Sequence, residues 1–409
     1  MSFKALGELV RIKGGKRLPK GTQLQAMQNS HPYIRVRDMG DKYIPDVGLE
    51  YVPDEVFPSI SRYTVNTNDV IISIVGTIGL ISIIDERFDN ASQTENCAKL
   101  SGLDYFDANY IYYFLRSSLG QQEIHQGTVG AVQAKLPLYS IEKIRVYWPE
   151  RVERVYIVNQ LASIDKKIDL NSQTNQTLEE VAQVIFKSWF VNFDPVKAQM
   201  RGEQPEGIDA ATATLFPDKL VESELGLLPE GWEPKQLKDV LELAYGKALK
   251  KTDRVAGNVP VYGSGGLTGY HNQSLVEGPG IIVGRKGTVG SLNWEPKAFY
   301  PIDTVFYVKP KAGYSLKYCH LVLQNLGLKD MNTDAAVPGL NRNNAYRLDV
   351  ITPNEVVLIK FEEIMQSFQS KIDANNAQSA NFESLRDTLL LKLLPGEIEL
   401  LNESPTDES

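Results

Sequence analysis

Pro217, Asp218, Glu233 and Lys235 stand in the order Pro-Asp…Glu-x-Lys, an arrangement with which nucleases hold a divalent metal against phosphate. Such carboxylates must be held rigidly, and Asp218 lies in a proline-rich stretch of little periodicity, which argues against this chemistry. A base-flipping DNA methyltransferase needs an Asn-Pro-Pro-aromatic or Asp-Pro-Pro-aromatic tetrapeptide, and neither occurs. The glycine-rich segments carry no Gly-Lys-Ser/Thr and no dinucleotide fingerprint. His31, His125, His271 and His320 have no metal-ligand spacing. Cys97 and Cys319 are too few for a disulfide framework or a zinc site and read as buried thiols. The chain is therefore read as non-catalytic, with no metal and no cofactor of its own.

What remains is recognition, for which charge is the first guide. The net charge of −8 looks unsuited to nucleic acid until it is located. Residues 195–230 and 395–409 together carry −9, which leaves the rest near neutral. Within that rest, Met1–Arg37 holds 8 basic residues against the single acid Glu8, and Gly231–Pro353 holds 15 basic against 10 acidic. Local basic surfaces are thus available for phosphate. At 409 residues and 42% hydrophobic content the chain is expected to form two to four soluble units. No run approaches the roughly 18 apolar residues of a membrane span, and Met1–Lys20 is basic but lacks an apolar signal core, so a cytoplasmic location is expected.

The elements that would position such residues are present twice. Leu136, Val146, Pro149, Lys167, Ile168, Asp169, Asn171 and Glu179 recur 204 positions later as Leu340, Val350, Pro353, Lys371, Ile372, Asp373, Asn375 and Glu383. A weaker repeat pairs Leu6, Gly15, Lys16 and Leu18 with Leu237, Gly246, Lys247 and Leu249. Each half begins and ends alike while the middles diverge.

The repeated ends read as long helices. Leu161, Ile164, Ile168, Asn171, Asn175, Leu178, Ala182, Ile185 and Trp189 alternate steps of three and four. Met365, Phe368, Ile372, Asn375, Ser379, Phe382, Leu389 and Leu393 do the same, with Leu385 or Arg386 between the last members. So narrow a stripe suits helix on helix, and Asn171 and Asn375 share a seam position where a polar residue can fix register. Pro149 and Pro353 precede these helices, and Asp194-Pro195 and Pro395-Gly396 follow them. In the middles, Asp69–Val75 and Gly280–Val283 are β-branched runs leading into the glycine turns Gly76-Thr-Ile-Gly79 and Gly287-Thr-Val-Gly290. Residues 109–119 and 316–326 read as matched helices. The domain reading is 1–149, a first helix 150–194, a linker 195–231 with at most one short helix, a second domain 232–353, a second helix 354–394 and an acidic tail 395–409.

Leu225-Gly-Leu-Leu-Pro-Glu-Gly-Trp232, Val259-Pro-Val-Tyr-Gly-Ser-Gly-Gly266, Ile281-Ile-Val-Gly-Arg-Lys-Gly-Thr-Val-Gly290, Asp303-Thr-Val-Phe306 and Ala336-Val-Pro-Gly-Leu-Asn341 follow one another in the second half. In content and order this half resembles the specificity subunits of type I restriction-modification systems. Pro32-Tyr-Ile-Arg-Val-Arg-Asp38, Asn68-Asp-Val-Ile-Ile-Ser73 and Gly76-Thr-Ile-Gly79 are similar in the first half, where the Gly-Arg-Lys stretch is absent. The resemblance implies an α+β fold: two mixed α/β target recognition domains in pseudo-two-fold arrangement, separated by two long helices packed as an antiparallel coiled coil that sets the gap between them. It further implies a bipartite double-stranded DNA target and two methyltransferase subunits that use S-adenosylmethionine. Restriction subunits, where present, would use ATP and Mg2+. Contacts to DNA are expected from Lys16, Arg35, Arg37, Thr77, Lys247, Ser264, Arg285, Lys286, Thr288, Asn341 and Arg342, since arginine can pair with guanine, asparagine with adenine, and turn amides with phosphate. The competing readings are a coiled-coil scaffold without DNA binding and the nuclease weighed above.

Overall fold

The computed structural model describes residues 3–130, 134–332 and 338–393. The acidic tail 395–409 and Ala336 and Val337 of the last motif lie outside the described residues. The chain divides into two compact units, one built from Met1–Ser172 and the chain from Asn376 onward, the other from Gln173–Asn375.

In the first unit, Arg11–Gly14, Cys97–Ser101, Val70–Ser73 and Ile81–Ile83 form an antiparallel sheet in that order. Glu50–Tyr51, Pro32–Ile34 and Ser92–Gln93 form a second sheet whose last pair is parallel, and Phe3–Ala5 pairs with Arg145–Tyr147. The period of two along Val70–Ser73 explains why an unbroken apolar run is a strand here. Val70 and Ile72 join the core under helix Tyr105–Arg116, while Ile71 faces the opposite way onto Ile34, Ile44 and Val65.

The second unit repeats this topology strand for strand. Leu241–Tyr245, Val305–Pro310, Gly280–Gly284 and Leu292–Glu295 make the antiparallel sheet. Gly266–His271, Val259–Gly263 and Tyr300–Pro301 make the sheet ending in a parallel pair, and Glu233–Gln236 pairs with Asp349–Thr352. Ile281 and Val283 face the main core and Ile282 the other side, against Phe299 and Val305. Even an interaction outside the sheets recurs. Lys16 N–H donates to Gln93 C=O, as Lys247 N–H does to Pro301 C=O, both at 3.0 Å.

The two long helices are Arg151–Lys187 and Glu355–Leu393. They pair antiparallel: in the first unit Asp165 meets Arg386 and Asn171 meets Ser379, and in the second Asn375 meets Asn175 and Phe186 meets Phe361. The seam residues Leu161, Ile164, Asn171, Met365, Ile372 and Asn375 are buried, and Ile168, Leu178, Ile185, Phe368, Phe382 and Leu389 are half-buried. Between the last members Arg386, not Leu385, lies in the seam, because Asp165 gives its guanidinium a partner while Leu385 stays exposed.

Two expectations need correction. The compact units do not end where the helices begin; they divide each helix near its middle, because Ile157, Val158, Leu161, Leu390 and Leu393 join the first core while Ala182, Phe186, Trp189, Phe361 and Met365 join the second. The segment 195–231 is not a linker but a folded part of the second unit. Phe193 breaks the preceding helix in the left-handed region (φ 59°), and Asp194–Met200 starts another. Helix Ala210–Ala213 and a hairpin of Leu220–Ser223 with Gly226–Pro229 follow, with Val196, Phe216 and Leu228 buried among Trp189 and Trp232. Its elements are too short to give a periodic signal, and isolated large apolar residues do the anchoring.

Candidate nucleic-acid interface

Both glycine turns close in the same way. Gly79 N–H donates to Ser73 C=O at 3.0 Å and Gly290 N–H to Gly284 C=O at 2.9 Å, and all four turn glycines have positive φ, where a side chain would be strained. Thr77 and Thr288 occupy the same place at the two tips and are exposed. The turn is then joined by a later segment: Leu136 N–H donates to Ile74 C=O, and Leu340 N–H to Arg285 C=O.

In the second unit this construction gathers most of the expected contacts. Arg285 and Lys286 N–H both donate to Thr304 C=O, Gly287 N–H donates to Pro338 C=O, and Ser264 C=O accepts from Ser291 Oγ at 2.7 Å. Arg285 Nη1 donates to Asp303 C=O at 2.8 Å. Leu340 leads directly into Asn341, which caps helix Arg342–Tyr346 by accepting from the N–H groups of Asn343 and Asn344, so its carboxamide oxygen is engaged locally. Ser264, Arg285, Lys286, Thr288, Asn341 and Arg342 therefore surround one turn. Lys247 is exposed two residues beyond Tyr245, whose ring carries both Arg285 (Cζ 4.9 Å from its centroid) and Arg342 (4.7 Å). Tyr245 was missed by motif reasoning, although it stands directly before the recurring Gly-Lys pair that marks this end of the sheet.

The first unit is arranged differently. Lys16 is exposed, its carbonyl accepting from Tyr33 OH and its Nζ lying 5.7 Å from the Tyr63 ring. Arg35 is bound to Glu50 and Asp38, and Arg37 reaches the same Glu50 carboxylate at 2.8 Å. The hydrogen bond from Arg35 holds the Glu50 carboxyl below the usual carboxylate range. Here both arginines are already paired with carboxylates, and an Arg35 side chain 20% exposed is a positioning group before it is a free donor. Thr77 belongs to the glycine turn rather than to this ion-pair cluster.

Among the described residues, no group of three or more His, Cys, Asp or Glu could hold a metal ion, and no helix is long and apolar enough to cross a membrane. Cys97 and Cys319 are buried, and burial pushes both thiols up to about 12.

A family model described as type I restriction modification DNA specificity domain matches residues 1–180 and 229–353. The HindI specificity subunit of a type I restriction enzyme from Haemophilus influenzae is 26% identical over 325 residues, covering 63% of this chain and 70% of its own. The MjaIX specificity subunit from Methanocaldococcus jannaschii is 20% identical over 396 residues, covering 91% and 85%. Among solved structures, a type I restriction-modification S subunit from M. genitalium shares 18% identity over 96% of both chains, with a TM-score of 0.47. A chain solved in work on complex assembly of the type I R-M system shares 14% identity over 97% of this chain and 98% of its own, with a TM-score of 0.46.

Proposed function

The chain belongs to the type I restriction modification DNA specificity family, and on that premise we propose that its two units each read one part of a bipartite double-stranded DNA target. The observation that carries this reading is one backbone arrangement built twice, with matched strands and glycine turns, under side chains that diverge. Direct readout requires that divergence, because different bases in the major groove present different donors, acceptors and methyl groups. A scaffold without DNA binding would have no use for it.

In this reading the chain brings recognition and its partners bring chemistry. Two methyltransferase subunits would carry S-adenosylmethionine and modify adenine. Restriction subunits, if the system has them, would use ATP and Mg2+. The exposed Lys16, Lys247, Lys286 and Thr288 would meet phosphate, and Arg285 and Arg342 would approach base edges.

Gel shift on cognate DNA with purified methyltransferase subunits tests the assignment. Specific retardation that depends on this chain is expected, and its absence would remove the DNA-reading role. The isolated chain, incubated with labelled S-adenosylmethionine or with magnesium and plasmid, should leave DNA unchanged. Methyl transfer or nicking by the chain alone would contradict a purely recognitional role.

A further inference from the structure

Three positions are matched between the units by backbone bonds, not only by sequence. Gly14 and Tyr245 each precede a glycine pressed on a carbonyl, Gly15 on Thr94 C=O and Gly246 on Ile302 C=O. Ile74 and Arg285 each accept the bond from the returning segment, and Leu138 and Arg342 each open the helix that follows it. In the first unit this trio is apolar: Ile74 is buried, and Leu138 Cδ1 lies 3.9 Å from where a Cβ on Gly14 would stand. In the second unit it is an aromatic ring carrying two guanidinium groups.

The second trio is built to present donors. Tyr245 is 49% exposed, and further rings lie against the cations, Phe306 at 5.7 Å from Arg285 and Tyr346 at 5.6 Å from Arg342, while Arg285 Nη1 is also held by the Asp303 carbonyl. Among the described residues no carboxylate pairs with either arginine, whereas Arg35 and Arg37 of the first unit share Glu50. Packing a guanidinium over a ring restricts its orientation without consuming its N–H donors, so those of Arg342, and those of Arg285 other than the Nη1 hydrogen given to Asp303 C=O, remain for a planar acceptor pair. Two like charges on one ring repel, and an acceptor between or beside them relieves that repulsion.

Building on the DNA-reading role, we infer that Tyr245 is a specificity-determining platform that aims Arg285 and Arg342 at the paired N7 and O6 acceptors of guanine in the half-sequence read by the second unit. Phosphate is the weaker assignment, because backbone contacts position both halves alike and carry no base information, so a trio that changes character between matched units is where sequence is read.

The reconstituted complex with methyltransferase subunits, its methylated motif read genome-wide, decides the matter. The wild-type complex should methylate a bipartite motif with guanine in at least one half. Arg285→Lys and Arg342→Lys, which keep the charge and lose the planar fork, should each relax base preference in one and the same half by about tenfold or more, with the other half unchanged. Tyr245→Phe should preserve the motif, and Tyr245→Ala should relax that same half. A wild-type complex that methylates no bipartite motif would overturn the underlying function instead. A wild-type bipartite motif that both lysine variants reproduce, with altered rate or salt dependence only, would identify phosphate contacts and overturn the guanine assignment, as would a motif without guanine in the affected half.

Discussion

Gly15 and Gly246 are the residues in which the duplication is most sharply visible. A Cβ on either would stand 2.1 Å from a backbone carbonyl oxygen, Thr94 C=O or Ile302 C=O, which no rotamer change can relieve. Gly15→Ala and Gly246→Ala should each cost about 3 kcal/mol through forced separation of the sheets, measured as a lowered denaturation midpoint. A near-neutral result would mean that the close approach is not maintained in solution. His320 offers a test by pH. Burial beside Trp294 lowers its pKa from the ordinary 6.5 to about 4, with Lys317 adding to the effect. The folded ring stays neutral while the unfolded chain takes up a proton below 6.5, so stability contributed by the neutral ring is full above 6.5 and is lost as pH falls toward 4. The cost is at most roughly 1.4 kcal/mol per pH unit across that window. Urea unfolding of His320→Phe against the parent should show a flatter pH dependence between 6.5 and 4, and parallel profiles would place the titration elsewhere.

At the scale of elements, the first long helix is held in the first unit by a polar node as well as by its seam. Asp165 accepts from Tyr113 OH at 2.5 Å and from Arg386 of the second long helix at 3.0 Å, with Lys42 Nζ 3.6 Å away. Burial lowers the pKa of Lys42 although Asp165 opposes the shift, so removing the carboxylate leaves a poorly solvated cation behind. Asp165→Ala should therefore destabilise by about 3 kcal/mol, and Asp165→Asn, which keeps acceptors, by less. Equal losses in thermal melts would show that the charge, and not the retained acceptor, is what the node supplies. The helix pairing itself was legible in the three-four stripe, because an apolar seam flanked by polar residues can be read from spacing. The Asp165 node was not, since it joins positions 42, 113, 165 and 386 through tertiary contact alone. The folded segment 195–231 escaped for a related reason: Phe216 and Leu228 anchor it singly, and no window average registers single anchors.

For the whole molecule, sequence order and duplication were enough to identify two similar domains with divergent middles. They could not say which candidate cations are free. Arg35 and Arg285 look alike as letters, yet one lies against Glu50 and Asp38 and the other on Tyr245. That distinction depends on which strands bring carboxylates or rings alongside. The claim that the units read independently is tested most directly by replacing Trp232–Thr352 with the corresponding segment of a relative and mapping the methylated motif of the assembled complex by long-read sequencing. One half of the motif should change to that of the donor while the other half stays as it was. A motif in which both halves change, or neither does, would contradict independent reading by the two units.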